Sequence, residues 1–468
     1  MNLLKKSSLT LVLILAVIIV HAQTSTPSFF SSNMVLQQNE EVAIWGKDDP
    51  RTSVEVTGSW GKSVTAKTNK DGKWKVKLKT PVAGGPYNVT IKGSKTIQLE
   101  DVLIGEVWLC SGQSNMEMPL KGYNNQPING SNEEILNSTN DRIRLFNTER
   151  ASSLTPEEDV SGKWLTSEPN SVGEFSATAY FFAKKLESIL DVPIGLIETS
   201  WGGSTAEAWV DGSTIEQFEN LEVPNEIPNR GVNHSPTLLY NAMINPFIGY
   251  NIKGAIWYQG ESNRKRTKQY KKLFPAMIEL WREKWQQEFP FYFVQIAPFG
   301  YNEGVNSAFL REAQLYAMQN VSNTGMAVTM DIGDCDYIHP REKKLVGERL
   351  VYWALAKTYN IGGVAFSGPV YKSSEKADDG RMVLSFDFAT NGLSSFGNEL
   401  TGFQIAGEDK NFFPARARIN GNKTLTVWSD AVSDPVSVRY SFDNCTTGSL
   451  YNVEGLPASS FRTDNWDK

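Results

Sequence analysis

Between residues 101 and 360, short continuous apolar runs alternate with longer segments whose apolar positions recur at helical spacing. "DVLIGEVWLC", "IGLIETS", "IKGAIWYQ", "FPFYFVQIA" and "GMAVTMDIG" read as strands buried on both faces. "ATAYFFAKKLESIL", "YKKLFPAMIELWREKWQQ" and "SAFLREAQLYAMQ" read as amphipathic helices, and a last helix is expected around Lys343 to Thr358. Strands of this kind separated by helices predict a parallel sheet covered on both sides, an α/β unit over residues 101–360.

The texture differs on either side. From Val42 to Ile91, short strands are divided by turn residues. "KWKVKLK" puts Trp74, Val76 and Leu78 on one face and lysines on the other, and Asp71-Gly72 before it is a hairpin signal. Residues 23–100 therefore read as a β-sandwich-like module. After Ile361, "MVLSFDF", "LTGFQIAG", "ARARIN", "TLTVWSD" and "VSVRYSF" predict a second all-β region over 361–468, expected beside the first.

The first 22 residues have their own logic. Lys5 and Lys6 precede the apolar run Leu11 to Val20 and the small-residue pattern Val20-His21-Ala22, as in a cleaved export signal. That run is too short for a membrane span, and no cysteine follows to carry a lipid, so the mature chain is expected in a periplasm or the extracellular space.

Composition narrows the functions. The net charge is −6, becomes −8 without the two leader lysines, and lacks long blocks of one sign, which argues against a nucleic-acid partner. Thirteen Trp, 16 Tyr and 23 Phe supply a large core and faces on which sugars could stack. Cys110, Cys335 and Cys445 allow at most one internal disulfide; Cys110 and Cys335 each precede a candidate catalytic segment and are candidate neighbours, as a bridge or as two thiols. No Cys/His spacing resembles a metal site.

In an open parallel sheet, ligands meet the carboxyl ends of the strands. Four polar segments stand there: "SGQSNME", "SWGGSTAEAW", "QGESN" and "DIGDCDYIHP". Ser114 in the first is a nucleophile candidate, and a serine needs a base. His21 leaves with the leader, so His234 and His339 remain. His339 is preferred because Asp336, three residues earlier, can be turned onto its Nδ1. The alternative is that Asp336 and His339-Pro340 merely begin a helix. His234 has no acid nearby and either touches substrate or starts a helix at Ser235-Pro236.

Attack on a carbonyl also needs oxyanion donors. The candidates are the backbone N–H groups of Ser114 and Gly203 and the side-chain amide of Gln259; Gly202-Gly203 could equally be a plain strand-to-helix turn. Glu117, Glu207 and Glu261 raise glycoside hydrolysis as a competing chemistry, but that would leave Ser114 and His339 without a purpose. These glutamates, with Gln113, Asn115 or Asn263, are read as touching substrate or holding the loops in place.

"GEVWLCSGQSNMEMPL", "ETSWGGSTAEAW", "LYNAMINP", "IWYQGESN" and "DIGDCDYIHPREKKLVGERL", in this order across Glu106 to Leu350, resemble the sialate O-acetylesterases of the SGNH-hydrolase superfamily. The resemblance implies a flavodoxin-like three-layer hydrolase domain, deacetylation of sugar hydroxyls and no metal or other cofactor. It implies Ser114 as nucleophile, His339 as base, Asp336 as acid, and Gly203 with Gln259 as oxyanion partners. Gln113 and Gln259 depart from the commoner superfamily pattern, which has Gly-Asp-Ser at the first block and Gly-x-Asn-Asp at the third. The substrate class implied first is acetylated sialic acid. Acetylxylan or another plant polysaccharide is the alternative, and a noncatalytic carbohydrate-binding protein is the alternative of another class.

Overall fold

The computed structural model describes residues 23–302, 304–421 and 423–466. The leader expected at residues 1–22 lies outside the described residues.

The first β region contains β1 (Val35–Gln37), β2 (Glu41–Lys47), β3 (Ser53–Gly58), β4 (Lys62–Lys67), β5 (Lys73–Lys79) and β6 (Gly84–Lys92). In β5 the alternation holds residue by residue: Trp74, Val76 and Leu78 are buried and the lysines exposed. The Asp71-Gly72 signal marks a turn, with Gly72 at φ +75°, but no hairpin follows. Strand β5 pairs with β2, whereas β4 pairs with β3. The apolar stripe of β5 is buried in one core with Ile44, Val54, Val56, Val89 and Ile91, so the chain crosses from one sheet to the other at this turn.

Strand β7 (Thr96–Gly112) joins this region to the next without a linker. Up to Gly105 it pairs with β6 and β1; from Glu106 it pairs with β10 (Ile194–Ser200), and from Trp108 with β11 (Gly254–Tyr258). Asp101, at φ +53°, lies in the first half, and its carboxylate pairs with the buried Arg144 at 2.9 Å.

With β8 (Asn140–Thr148), β9 (Gly162–Ser167), β12 (Phe291–Val294) and β13 (Thr324–Ala327), the central sheet runs β13-β12-β11-β7-β10-β8-β9. Its strands are parallel except for the antiparallel β8–β9 edge. Strand pleating sends Val107 and Leu109 to one face, into a core with Phe274 and Trp281 of the helix Thr267–Trp285. Trp108 and Cys110 enter the opposite core, with Phe182 and Leu186 of the helix Ala177–Leu190 and Val346 and Leu350 of the helix Lys343–Trp353. Each such fully buried large side chain contributes roughly 1.5–3 kcal/mol. The chain order reverses at β7, with β10 on one side and β11 on the other, which opens a crevice at their carboxyl ends.

The last region forms two four-stranded antiparallel sheets around Leu384, Ile405, Leu425, Val438 and Tyr440. It docks on the central unit. The buried Arg311, on the helix Ala308–Asn320, donates to Ser460 Oγ at 3.0 Å and Ser441 O at 3.2 Å, and Gln295 Nε2 donates to Ser459 Oγ at 2.8 Å. Cys335 forms a disulfide with Cys445 in this region. Cys110, expected as a neighbour of Cys335, is instead a free buried thiol, because its strand position faces the helix-covered core rather than the loop edge.

Candidate active site

The four polar segments leave the same edge of the sheet. Strand β7 ends at Gly112, where φ is +143° and a Cβ would come within 2.2 Å of Tyr258 O on the adjacent strand, so only glycine lets the chain turn so close to β11. The next residues form the short helix Ser114–Glu117, which presents Ser114 half-exposed at the crevice.

His339 has further to come. Strand β13 lies three places from β7, roughly 14 Å at ~4.8 Å per strand. The segment after it crosses that distance with Cys335 bonded to Cys445 and Arg341 paired with Asp334 at 2.8 Å. It delivers the imidazole to the serine: Ser114 Oγ and His339 Nε2 are 2.8 Å apart. Two residues 225 positions apart in sequence thus meet in a hydrogen bond.

Asp336 is not brought to the ring. It is exposed, and its own N–H donates to Asp334 Oδ1 at 3.0 Å in a local turn. The Nδ1 side of His339 is occupied by Gln126 Oε1, in a short hydrogen bond. Burial depresses the His339 pKa to about 4, with the nearby Lys343 cation acting in the same direction.

Behind Ser114 lies a buried polar chain. Asn115 Nδ2 donates to Glu261 Oε1 at 2.7 Å and to Ile338 O at 3.1 Å, while Lys343 Nζ donates to Asn115 Oδ1. Asn115 thus links the Ser114 turn to the loop before His339. Burial raises the Glu261 carboxyl and lowers the Lys343 ammonium to about 7. Sequence reading missed Lys343, although its spacing to Val346 and Leu350 is that of one helix face.

The other expected residues divide into two groups. The N–H groups of Ser114 and Gly203 carry no hydrogen bond among the described residues, and the Gly202-Gly203 loop passes close to Ser114, a Cβ on Gly202 lying 3.4 Å from Ser114 Cβ. Gly203 itself has φ +73°. Gln259, by contrast, is fully buried and spends its amide N–H groups on Ser204 O at 3.1 Å and Asn263 Oδ1 at 2.7 Å. Gln113 Oε1 accepts from the N–H groups of Gly260 and Ser262 at 3.3 and 3.4 Å.

The glutamates are spaced apart by their loops. Glu117 accepts the Gly202 N–H at 2.8 Å and Arg150 Nε at 2.6 Å. Glu207 takes Asn263 Nδ2 at 2.9 Å and pairs with Arg266, and Asn263 Oδ1 in turn accepts the Ala206 N–H at 2.9 Å. His234 is exposed; its backbone carbonyl accepts from Thr205 Oγ1 at 3.2 Å, and its neighbour Asn233 donates to Gly202 O at 2.8 Å. Beside Tyr123, a cavity of about 300 Å³ is lined by Glu117, Arg150, Glu174 and Glu198 among others.

Among the described residues no cluster of three or more His, Cys, Asp or Glu could hold a metal ion, and no helix is long and apolar enough to cross a membrane. What remains at the crevice is a hydroxyl with a neutral imidazole on it and two unpaired N–H groups beside it, an arrangement suited to acyl transfer.

Known proteins share this chain's pattern. The family model described as "Carbohydrate esterase, sialic acid-specific acetylesterase" matches residues 104–354. The sialate O-acetylesterase of Homo sapiens is 34% identical over 398 residues, covering 77% of this chain and 76% of the relative. That of Mus musculus is 32% identical over 423 residues, covering 77% and 78%. Among solved structures, a carbohydrate acetylesterase from Xanthomonas citri superposes with a TM-score of 0.87 at 37% identity, covering 95% of this chain and 100% of the other.

Proposed function

The chain belongs to the family of sialic acid-specific carbohydrate acetylesterases and is a carboxylic ester hydrolase; from that premise, we propose that it removes O-acetyl groups from sugars through an acetyl-serine intermediate on Ser114. The observation that carries this reading is the 2.8 Å hydrogen bond from Ser114 Oγ to His339 Nε2.

In the proposed reaction Ser114 Oγ attacks the acetyl carbonyl as its proton passes to His339 Nε2. The Ser114 and Gly203 N–H groups receive the oxyanion. The C–O bond to the sugar breaks as His339 returns that proton to the sugar oxygen. Water, deprotonated by the same imidazole, then attacks the acetyl-serine, and acetate leaves with Ser114 restored. The central unit would be a flavodoxin-like SGNH-type domain over residues 101–360, between β domains at 23–100 and 361–468. Export directed by residues 1–22 to a periplasm or the extracellular space is supported by the Cys335–Cys445 disulfide, since such bonds persist in oxidising compartments.

Acetylated sialic acids are the first substrate class, by likeness to the relatives. The second reading is an acetylated neutral polysaccharide such as acetylxylan, on which the same Ser114/His339 pair would act. Acetate release from O-acetylated sialic acids and from acetylated xylo-oligosaccharides, measured side by side, decides between them. Release from neither would overturn the proposal.

A further inference from the structure

The loop that follows the nucleophile returns to the imidazole from the side opposite Ser114. Gln126 Oε1 accepts from His339 Nδ1, while Nε2 of the same ring faces Ser114 Oγ. Tyr123, three residues earlier, sets its ring edge-on to the imidazole with centroids 5.3 Å apart. Tyr123 and Gln126 are locked to each other by reciprocal backbone hydrogen bonds of 3.0 Å. Asn129 then ties this loop to the segment after His339, its N–H donating to Arg341 O at 3.0 Å and its side chain to Glu342.

These contacts fix the tautomer. An amide oxygen at Nδ1 requires the ring proton there, which leaves the Nε2 lone pair for the Ser114 hydroxyl. Accepting the Ser114/His339 reading above, we propose that Gln126 is the positioning residue that orients His339, in the place where Asp336 was expected. The device is a neutral acceptor rather than an anion.

The charges around the ring agree with that arrangement. Lys343 approaches from the following helix, and Tyr123 from the loop is a phenol that burial and Glu117 keep protonated. Asp336 is exposed in the ring's own loop, Asp334 is paired with Arg341, and Glu342 is bonded to Asn129. Glu117 is paired with Arg150, and Glu261 is bonded to Asn115. Among the described residues no carboxylate contacts the imidazole to offset the burial that holds its pKa near 4.

The test is the pH dependence of kcat and KM on a chromogenic acetate ester for the parent, Gln126→Ala, Gln126→Glu and Asp336→Asn, with thermal melts as the check on folding. Gln126→Ala should lower kcat about 100-fold with KM and the melt little changed, the scale of a misplaced catalytic group. Gln126→Glu keeps the acceptor, so turnover returns at high pH, but its added charge should move the acid limb up by about one to three pH units. Asp336→Asn should leave the limb where the parent has it. Parental kcat in Gln126→Ala, an unmoved limb in Gln126→Glu, or a limb displaced in Asp336→Asn would each overturn the assignment. Full activity in Ser114→Ala would instead sink the hydrolytic reading itself, so the two failures are told apart.

Discussion

Glu117 Oε2 accepts the backbone N–H of Gly202 at 2.8 Å, fastening the helical turn that carries Ser114 to the glycine loop that carries Gly203. The same carboxylate holds Arg150 Nε at 2.6 Å and receives the Tyr123 hydroxyl at 3.4 Å. One side chain therefore ties the Ser114 turn to the glycine loop, to Arg150 and to Tyr123.

Glu117→Ala leaves that loop unfastened. Its kcat/KM should fall about 10- to 100-fold, since an ångström of misplacement costs on that scale. Stability should drop by about 1–3 kcal/mol from the unpaired groups left behind. Glu117→Gln can still accept the Gly202 N–H and should recover most of the rate. Kinetics and urea unfolding of both variants check this, and equal rates for Glu117→Ala and the parent would refute it.

Lys343 reaches Asn115 from inside the protein and adds positive potential near His339. Removing that charge makes the imidazole easier to protonate. In Lys343→Met the acid limb of kcat/KM should therefore move to higher pH, and the variant should lose about 1–3 kcal/mol because Asn115 Oδ1 is left without its donor. A limb that stays put or moves down would show that Lys343 does not act on His339.

Glu198 is buried at the wall of the cavity beside Tyr123, and that burial, aided by Glu117 and opposed by the Ser200 hydroxyl, lifts its carboxyl from 4.5 to about 8. Between those values the folded chain holds a proton that the unfolded chain has released, so its contribution to stability declines as pH rises through the window. Glu198→Gln removes this dependence. Its melting temperature relative to the parent should be more favourable at about pH 9 than at about pH 5. The opposite ordering would mean that Glu198 is ionised in the fold.

Much of this was legible in the sequence because it follows from local pattern. Strand β5 and the helix Ala177–Leu190 lie where alternation and helical spacing place them, and Ser114 and His339 follow strand ends in a chain with few histidines. What was not legible depends on contacts between distant segments. The Asp71-Gly72 turn looks like a hairpin until the core partners of Trp74 are known. The partner of Cys335 depends on where the last β region docks. Asp336 has the right spacing to reach His339, but its turn bonds to Asp334 and the Gln126 loop arrives first, from residues with no motif of their own. Gln259 reads as a donor to substrate only until Asn263 and Ser204 claim its amide.

The central claim is that Ser114 carries the acetyl group. The direct measurement is acetate release from an acetylated sugar by purified Ser114→Ala, with a thermal melt showing the fold intact. A loss of at least about 10⁴-fold is expected, as for other serine nucleophiles removed from a working site. Acetate released at the parental rate would contradict it.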